Sequence, residues 1–331
     1  MYARPLVQSG RARPDGAMPL AGGPLWFTHA ELLRRDAAPR IVAATDLPAE
    51  VLDPLIAARA PVCGLDLSRP VHMGILNVTP DSFSDGGQHF DASDALAAVA
   101  RMVADEVDII DIGGESTRPG AETVPEAEEI RRTAPVIAAI RAAQDVAISI
   151  DTRKAAVAGA ALDAGADLVN DVAGFTLDPA LAPLCAGRNV PVCVMHAQGD
   201  PATMQDDPRY DNVLLDVYDF LAARIAALEA TGIPRDRIIV DPGIGFGKTL
   251  DHNLDLLKGI ALFHGLGCAI LLGVSRKRFI GTIGKAPLAS DRAPGSIAIG
   301  LAALTQGVQI LRVHDTSETA QALRLWNAVQ S

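Results

Sequence analysis

Aromatic side chains are scarce, with Phe, Trp and Tyr together making 4% of the 331 residues. Positive charge is also in deficit, and the net charge is −11. A polyanion partner needs basic patches and stacking rings, so nucleic acid is excluded as an expected ligand. Cysteine is nearly absent. Cys63, Cys185, Cys193 and Cys268 stand singly in apolar surroundings, with no Cys-x-x-Cys pair. That excludes the common zinc spacings and reads as buried thiols in a reducing compartment. No apolar run is long enough to span a bilayer. Residues 1–24 carry scattered arginines and glycines where a signal peptide would have an apolar core. A cytoplasmic protein without membrane contact is expected.

What is present is ordinary globular material, 49% hydrophobic and 21% charged. Residues 1–68 read as an N-terminal extension of unknown role. Its first 24 residues are Gly/Pro/Arg-rich and read as loop or disordered, and Thr28–Arg35 and Pro48–Ala60 read as short helices. The pattern changes at residues 69–331. Apolar runs at Val71–Val78, Val107–Ile112, Val146–Ile150, Leu168–Val172, Val190–Met195, Ile238–Val240, Ala269–Val274 and Gln309–Val313 alternate with alanine- and leucine-rich helical stretches. Such runs suit a parallel sheet covered by helices. Eight units in series predict a (β/α)8 TIM barrel. A doubly wound open sheet is the alternative, but no dinucleotide fingerprint accompanies it.

The chain is organised around residues 238–249, Ile-Ile-Val-Asp-Pro-Gly-Ile-Gly-Phe-Gly-Lys-Thr. A buried strand stops on Asp241, Pro242 ends the ladder, and the glycines let the backbone turn and approach a ligand. Burial destabilises an unpaired carboxylate by several kcal/mol, so Asp241 should meet a donor. The closing Gly-Lys-Thr imitates a phosphate-binding P-loop, but Pro242 stands where that pattern needs glycine and offers no N–H.

Barrel active sites lie at the C-terminal ends of the strands. Those ends carry Asn77, Asp111 with Glu115, Asp151, Asn170, His196, Asp241, Ser275 with Arg276 and Lys277, and Arg312 with His314. One such residue would be a helix cap, but a polar group at every mouth position argues for a ligand rich in donors and acceptors. Asp151, Asn170 and Asp241 suit a flat nitrogen heterocycle with adjacent N–H groups. Lys277, Arg312, His314 and Arg118 suit an oxyanion such as phosphate. Asn77 beside them suits Mg2+, with waters and phosphate completing its shell. The remaining histidines read as surface residues. The loops Thr79–Gly87 and Glu115–Ala121 are long and rich in Gly, Ser and Pro, as lids often are.

Two of these stretches, Ile75-Leu-Asn-Val-Thr-Pro-Asp-Ser-Phe-Ser-Asp-Gly-Gly87 and Asp111-Ile-Gly-Gly-Glu-Ser-Thr-Arg-Pro-Gly-Ala121, closely resemble the signatures of the dihydropteroate synthase family. Ser149–Thr152, Val169–Asp171, Asp241–Lys248, Ser275–Lys277 and Arg312–His314 match in order. The resemblance covers about residues 71–330 and implies a joining of (7,8-dihydropterin-6-yl)methyl diphosphate to 4-aminobenzoate, with release of diphosphate. It implies that Asp151, Asn170, Asp241 and Lys277 hold the pterin ring in a slot lined by Met195 and Gly273. Arg312 would lie against the pterin face. Asn77 would bind Mg2+, and Thr117, Arg118, Arg312 and His314 would hold the diphosphate. Thr117, Pro119, Phe246, Ser275 and Lys277 would shape the 4-aminobenzoate pocket. Arg118, Asp151, Asp241 and Lys277 would carry catalysis, without a covalent intermediate. The family also implies a homodimer through the last helices. A pterin-binding methyltransferase on the same barrel would share the Asp/Asn floor but would need no diphosphate site. A pterin-binding paralogue without activity is the remaining alternative.

Overall fold

In a computed structural model of the chain, the described residues are 1–78, 92–116, 123–199 and 204–330. Eight strands form a closed parallel barrel. In chain order they are β6 (Val71–Asn77), β7 (Ile109–Gly113), β8 (Ala147–Asp151), β9 (Leu168–Asp171), β10 (Val192–Met195), β11 (Ile238–Asp241), β12 (Ala269–Leu272) and β13 (Ile310–Val313), and β13 pairs back onto β6. Between and after them run α2 (Ala92–Ala104), α3 (Glu126–Ala143), α4 (Ala155–Asp163), α5 (Leu181–Arg188), α6 (Val213–Ala230), α7 (Leu250–Lys258), α8 (Arg278–Ile283), α9 (Ala293–Leu304) and α10 (Thr316–Gln330). The fold is the (β/α)8 barrel that the alternation of apolar runs and helical stretches predicts. Side-chain caps define some helix starts: Asn212 accepts the Leu215 N–H before α6, and Thr249 with His252 closes a capping box before α7.

The strand period of two sorts the side chains. Outward residues such as Ile110, Ile148, Val169 and Val240 pack under the helices in one large core. Inward residues near the strand starts, among them Met73, Ile109, Leu168, Cys193, Ile239 and Ile310, fill the barrel floor, which Val62 and Leu67 close from below. One inward step further along, β7, β9, β11 and β13 present the polar residues Asp111, Asn170, Asp241 and Arg312. The apolar layer is therefore a plug beneath the site.

The extension differs from the sequence expectation. Thr28–Arg35 is not a helix: β4 (His29–Leu33) lies antiparallel between β1 (Tyr2–Pro5) and β5 (Arg40–Ala43). Its burial alternates, with Ala30 and Leu32 inward, and the partner strand lies inside the supposed loop of residues 1–24. The second helical expectation corresponds to α1 (Ala49–Ile56). A further two-stranded ladder joins β2 (Met18–Pro19) to β3 (Trp26–Phe27). These elements share a core around Phe27, Leu20 and Leu55. Arg59 fastens the extension to the barrel by donating to the carbonyls of Cys268 at 3.0 Å and His264 at 3.0 Å. His264 and His72 are buried, at 0% and 2% exposure, so the reading of the remaining histidines as surface residues fails for both.

Gly307, at φ +88, is one closure point between extension and barrel, because a Cβ there would stand 2.6 Å from Leu20 Cδ2 and 2.7 Å from His264 Nε2. Gly307→Ala is expected to destabilise the protein by about 1–3 kcal/mol, from backbone strain and the clash together. Gly187→Ala, on α5 with nothing within 4 Å of its Cβ position, should be neutral or stabilising by up to about 1 kcal/mol. Urea midpoints of the two variants check the contrast, and equal midpoints would contradict it.

Candidate active site

The mouth is built from inward positions on successive strands. Register sets Asp151 beside Asn170, Met195 beside Asp241, and Asn77 beside Gly113. The strongest interaction there crosses the barrel. Arg312 on β13 donates from Nε to Asp111 Oδ2 at 2.5 Å and from Nη2 to Asp151 Oδ2 at 2.6 Å. Asn170 Nδ2 stands 3.4 Å from Asp111 Oδ2, closing a cluster of one guanidinium, two carboxylates and one amide. Asp111 is fully buried and belongs to this floor. The sequence reading set Asp111 at the mouth without a role, and its inward register beside Ser149 and Ile75 was the available signal.

The electrostatics are those of charge withdrawn from water. Burial pushes the Asp151 carboxyl up to about 7, against the pull of Arg312 and with the push of Asp111. Its Oδ1 is buried and accepts no hydrogen bond from the described residues. Burial also raises Asp241, whose Oδ1 accepts the Gly243 N–H at 2.7 Å. Burial lowers Lys277 to about 8, although Asp241 opposes that shift. The Lys277 ammonium stands 4.1 Å above the centre of the Phe246 ring, a cation–π contact that ties the Asp241 loop to the turn after β12. Arg312 is pulled down by its own burial, but Asp111 and Asp151 outweigh that and hold it above its ordinary value.

Several loops are shaped to present these groups. Gly243 has φ +67, and a Cβ there would fall 1.8 Å from the His196 carbonyl oxygen, so only glycine lets the turn after β11 lie on β10. Lys248 is buried inside that turn, donating to the carbonyls of Gly243 at 2.9 Å and Phe246 at 3.0 Å and facing His196 Nδ1 at 2.8 Å. It is therefore a brace for the glycine loop, as the rejected P-loop pattern requires. His196 is part of the same brace. Burial, followed by the Lys248 charge, lowers His196 to about 2. A methyl at Gly273 would stand 3.8 Å from Asp241 Oδ2, so glycine keeps room beside that carboxylate. Ser275 Oγ accepts the His314 backbone N–H at 3.1 Å and contacts His314 Nδ1 at 3.0 Å. Arg276, with φ 59, turns away to Asp315 and leaves Ser275 and Lys277 on either side. Glu115 also leaves the mouth, ion-paired with Lys154 at 2.5 Å and with Arg153.

The structure thus brings together Asp151, Asn170, Met195, Asp241, Phe246, Gly273, Lys277 and Arg312, with Ser275 and His314 at one side and Asn77 at another. Thr117, Arg118 and Pro119 lie outside the described residues, as does the whole of the first long loop, residues 79–87. Among the described residues no group of three or more His, Cys, Asp or Glu could hold a metal ion. None of their helices is long and apolar enough to cross a membrane.

A barrel with this mouth has known relatives. The model of the family described as "Pterin binding enzyme" matches residues 73–314. Dihydropteroate synthase of Escherichia coli K12 is 45% identical over 268 residues, covering 81% of this chain and 94% of that protein. A Yersinia pestis dihydropteroate synthase solved with a sulfonamide drug superposes with a TM-score of 0.77 at 43% identity, over 82% of this chain and 99% of the other. A Xanthomonas albilineans dihydropteroate synthase in complex with 7,8-dihydropteroate gives 0.73 at 42%, over 81% and 96%. The chain belongs to the pterin-binding enzymes, and among them to the dihydropteroate synthase family of transferases.

The cross-barrel cluster yields a stability test. Asp111→Asn leaves Arg312 with a single carboxylate in a buried site, and a loss of about 3–5 kcal/mol is expected in chemical denaturation. A loss below about 1 kcal/mol would mean that solvent screens the pair as it does at a surface.

Proposed function

We propose that the chain condenses (7,8-dihydropterin-6-yl)methyl diphosphate with 4-aminobenzoate, giving 7,8-dihydropteroate and diphosphate for folate synthesis. The observation that carries this is the pairing at one mouth of an acidic and amide floor with a cationic flank. On the floor, Asp151 Oδ1 lacks a donor among the described residues and Asp241 has room beside Oδ2. Asn170 joins them, and Lys277 stands over Phe246. These groups offer the acceptors and the amide that a pterin edge requires, with Met195 and Gly273 as the slot walls. Arg312 lies between the two carboxylates, positioned to contact the pterin face and to share the diphosphate with His314. The Ser275 hydroxyl and the Phe246 ring border the space for 4-aminobenzoate. Thr117, Arg118 and Pro119 complete the diphosphate and 4-aminobenzoate contacts in this reading. A related Xanthomonas albilineans enzyme solved with 4-aminobenzoic acid supports the assignment of that substrate.

The reaction breaks the bond from the pterin methylene carbon to oxygen, and the electron pair leaves with diphosphate. The arylamine lone pair forms the new C–N bond, and the amine loses a proton. No side-chain nucleophile is required. Asp151 and Asp241 stabilise the positive charge that spreads over the ring as the bond opens, and Arg312 and His314 oppose the charge gathering on the leaving group. Positioning supplies the rest. The donor set fits Mg2+ only in part. Asn77 offers one hard oxygen beside Asp151, as their shared approach to Gly113 indicates, so the ion would arrive with the diphosphate and keep waters. When bound it would neutralise leaving-group charge.

Exposed apolar residues on the last elements, Leu325 at 65% and Val329 at 82% on α10 with Leu288 at 63%, support the homodimer. The four cysteines are free thiols, which supports a reducing, cytoplasmic setting.

Diphosphate release is the direct test. It should require the pterin diphosphate, accelerate with 4-aminobenzoate, and fall on chelation of Mg2+. Release that ignores 4-aminobenzoate would reject the condensation. The raised Asp151 carboxyl gives a second check. A pterin N–H favours the ionised form, so pterin binding below about pH 7 should expel a proton, and the effect should fade as pH rises past the ligand-free value of about 7. Calorimetry in buffers of differing ionisation enthalpy reads that proton count. A count that is zero at pH 6, or unchanged in Asp151→Asn, would remove Asp151 from the pterin contact.

A further inference from the structure

The turn after β11 is splinted by side chains that lie outside it or close it. Gln205 Nε2 donates to the Gly245 carbonyl at 2.6 Å, and the Tyr210 hydroxyl donates to the Gly247 carbonyl at 2.7 Å. Lys248 serves the carbonyls of Gly243 and Phe246. The Gly245 N–H donates in turn to Asn253 Oδ1 at 2.7 Å. A polar loop with its backbone groups satisfied in this way has little freedom to open.

Lys248 is the unusual member, because it is 3% exposed. Four acceptors converge on its ammonium: the carbonyls of Gly243 at 2.9 Å, Phe246 at 3.0 Å and His196 at 3.4 Å, and His196 Nδ1 at 2.8 Å. None of them carries charge. His196 is neutral, so Nδ1 turns its lone pair to the ammonium and Nε2 keeps the proton. Burial of an ammonium is costly, and an apolar side chain would fill the same space without that penalty. What the charge supplies is the convergence itself, since four electron-rich atoms around an apolar group would repel one another and lose their donors.

The residue most affected is Phe246. Its carbonyl is held by Lys248, and its half-buried ring carries the Lys277 ammonium 4.1 Å from its centre. Asp241, in contrast, stands within β11 in register with Met195, so the barrel itself sets its place. We propose that Lys248 is a positioning residue for the 4-aminobenzoate pocket: its ammonium fixes the backbone that carries the Phe246 ring, while the pterin contact through Asp241 is set by the strand. The identity of that substrate rests on the reaction proposed above, but the dependence of the loop on the ammonium does not.

Two readouts on the full chain test this. Lys248→Met keeps the length of the side chain and removes its charge. It should raise KM for 4-aminobenzoate at least about tenfold, the effect of losing charge-assisted hydrogen bonds, and leave KM for the pterin diphosphate within about threefold. Amide hydrogen exchange in the turn after β11 should quicken in the same variant while the barrel strands keep their protection. In Lys248→Ala, ammonium chloride should reverse both changes. Tetramethylammonium chloride at equal ionic strength, too large for the cage, should reverse neither. Should both lysine variants fold poorly, Tyr210→Phe still decides, because it keeps the ring and removes only the hydroxyl that holds Gly247. There the 4-aminobenzoate KM should rise about threefold with the pterin KM unchanged, and no rise would sever the loop from the pocket and overturn the assignment. Equal rises in the two KM values, an unchanged 4-aminobenzoate KM, unaltered exchange in the turn, or no response to ammonium would each overturn it as well. If the wild-type protein formed no dihydropteroate, the proposed reaction would fall, and the exchange measurements with ammonium would still decide the part played by Lys248.

Discussion

Arg312 holds the mouth of the barrel together. Its guanidinium reaches Asp111 on β7 and Asp151 on β8, so one cation keeps two buried carboxylates from repelling one another. Without that bridge the floor would collect protons, or the strands would part to admit water. The other site groups depend on this arrangement. Asn170 joins Asp111, Lys277 balances Asp241 from the neighbouring turn, and the apolar plug beneath closes the floor side of the site to water. A buried ion cluster adds little net stability compared with a hydrophobic one. What it supplies here is a rigid set of acceptors and donors facing a cavity.

Much of this was legible in the sequence, because a parallel barrel writes itself in a simple grammar. Apolar runs gave the strands, and the residue ending each run gave the mouth. Asp151 and Asp241 follow from that rule alone, while Asn170 and Arg312 stand out as polar residues inside their runs. Their pairing does not follow, since Arg312 meets Asp111 across 201 positions of chain, and no local pattern carries such a contact. Asp111 shows the limit. It sits within its strand, two residues before the end, and only the inward register reveals its place in the floor.

The misreadings share a cause. Thr28–Arg35 is strand because Tyr2–Pro5 lies beside it, and local composition says nothing of that partner. Glu115 and Arg276 stand next to mouth residues in sequence, yet their partners Lys154 and Asp315 draw them away. Lys248 stands in a string that imitates a P-loop, a reading that Pro242 already rejects, and it is enclosed by backbone oxygens. In each case the side chain's destination depends on a group contributed by a distant segment or another loop.

The unsatisfied oxygen of Asp151 has a consequence for discrimination. A buried acceptor with no donor among the described residues rewards a molecule that brings an N–H or O–H to that point. A ring of the same outline with a lone pair there would set two acceptors face to face in a dry cleft, and sites of this kind reject such mimics by on the order of 10⁴-fold or more. Because the same carboxyl sits near neutrality, it can answer the mimic by keeping its proton and donating it. Selectivity between the two outlines should therefore sharpen in alkaline solution and blur in acid, making fidelity itself a function of proton supply.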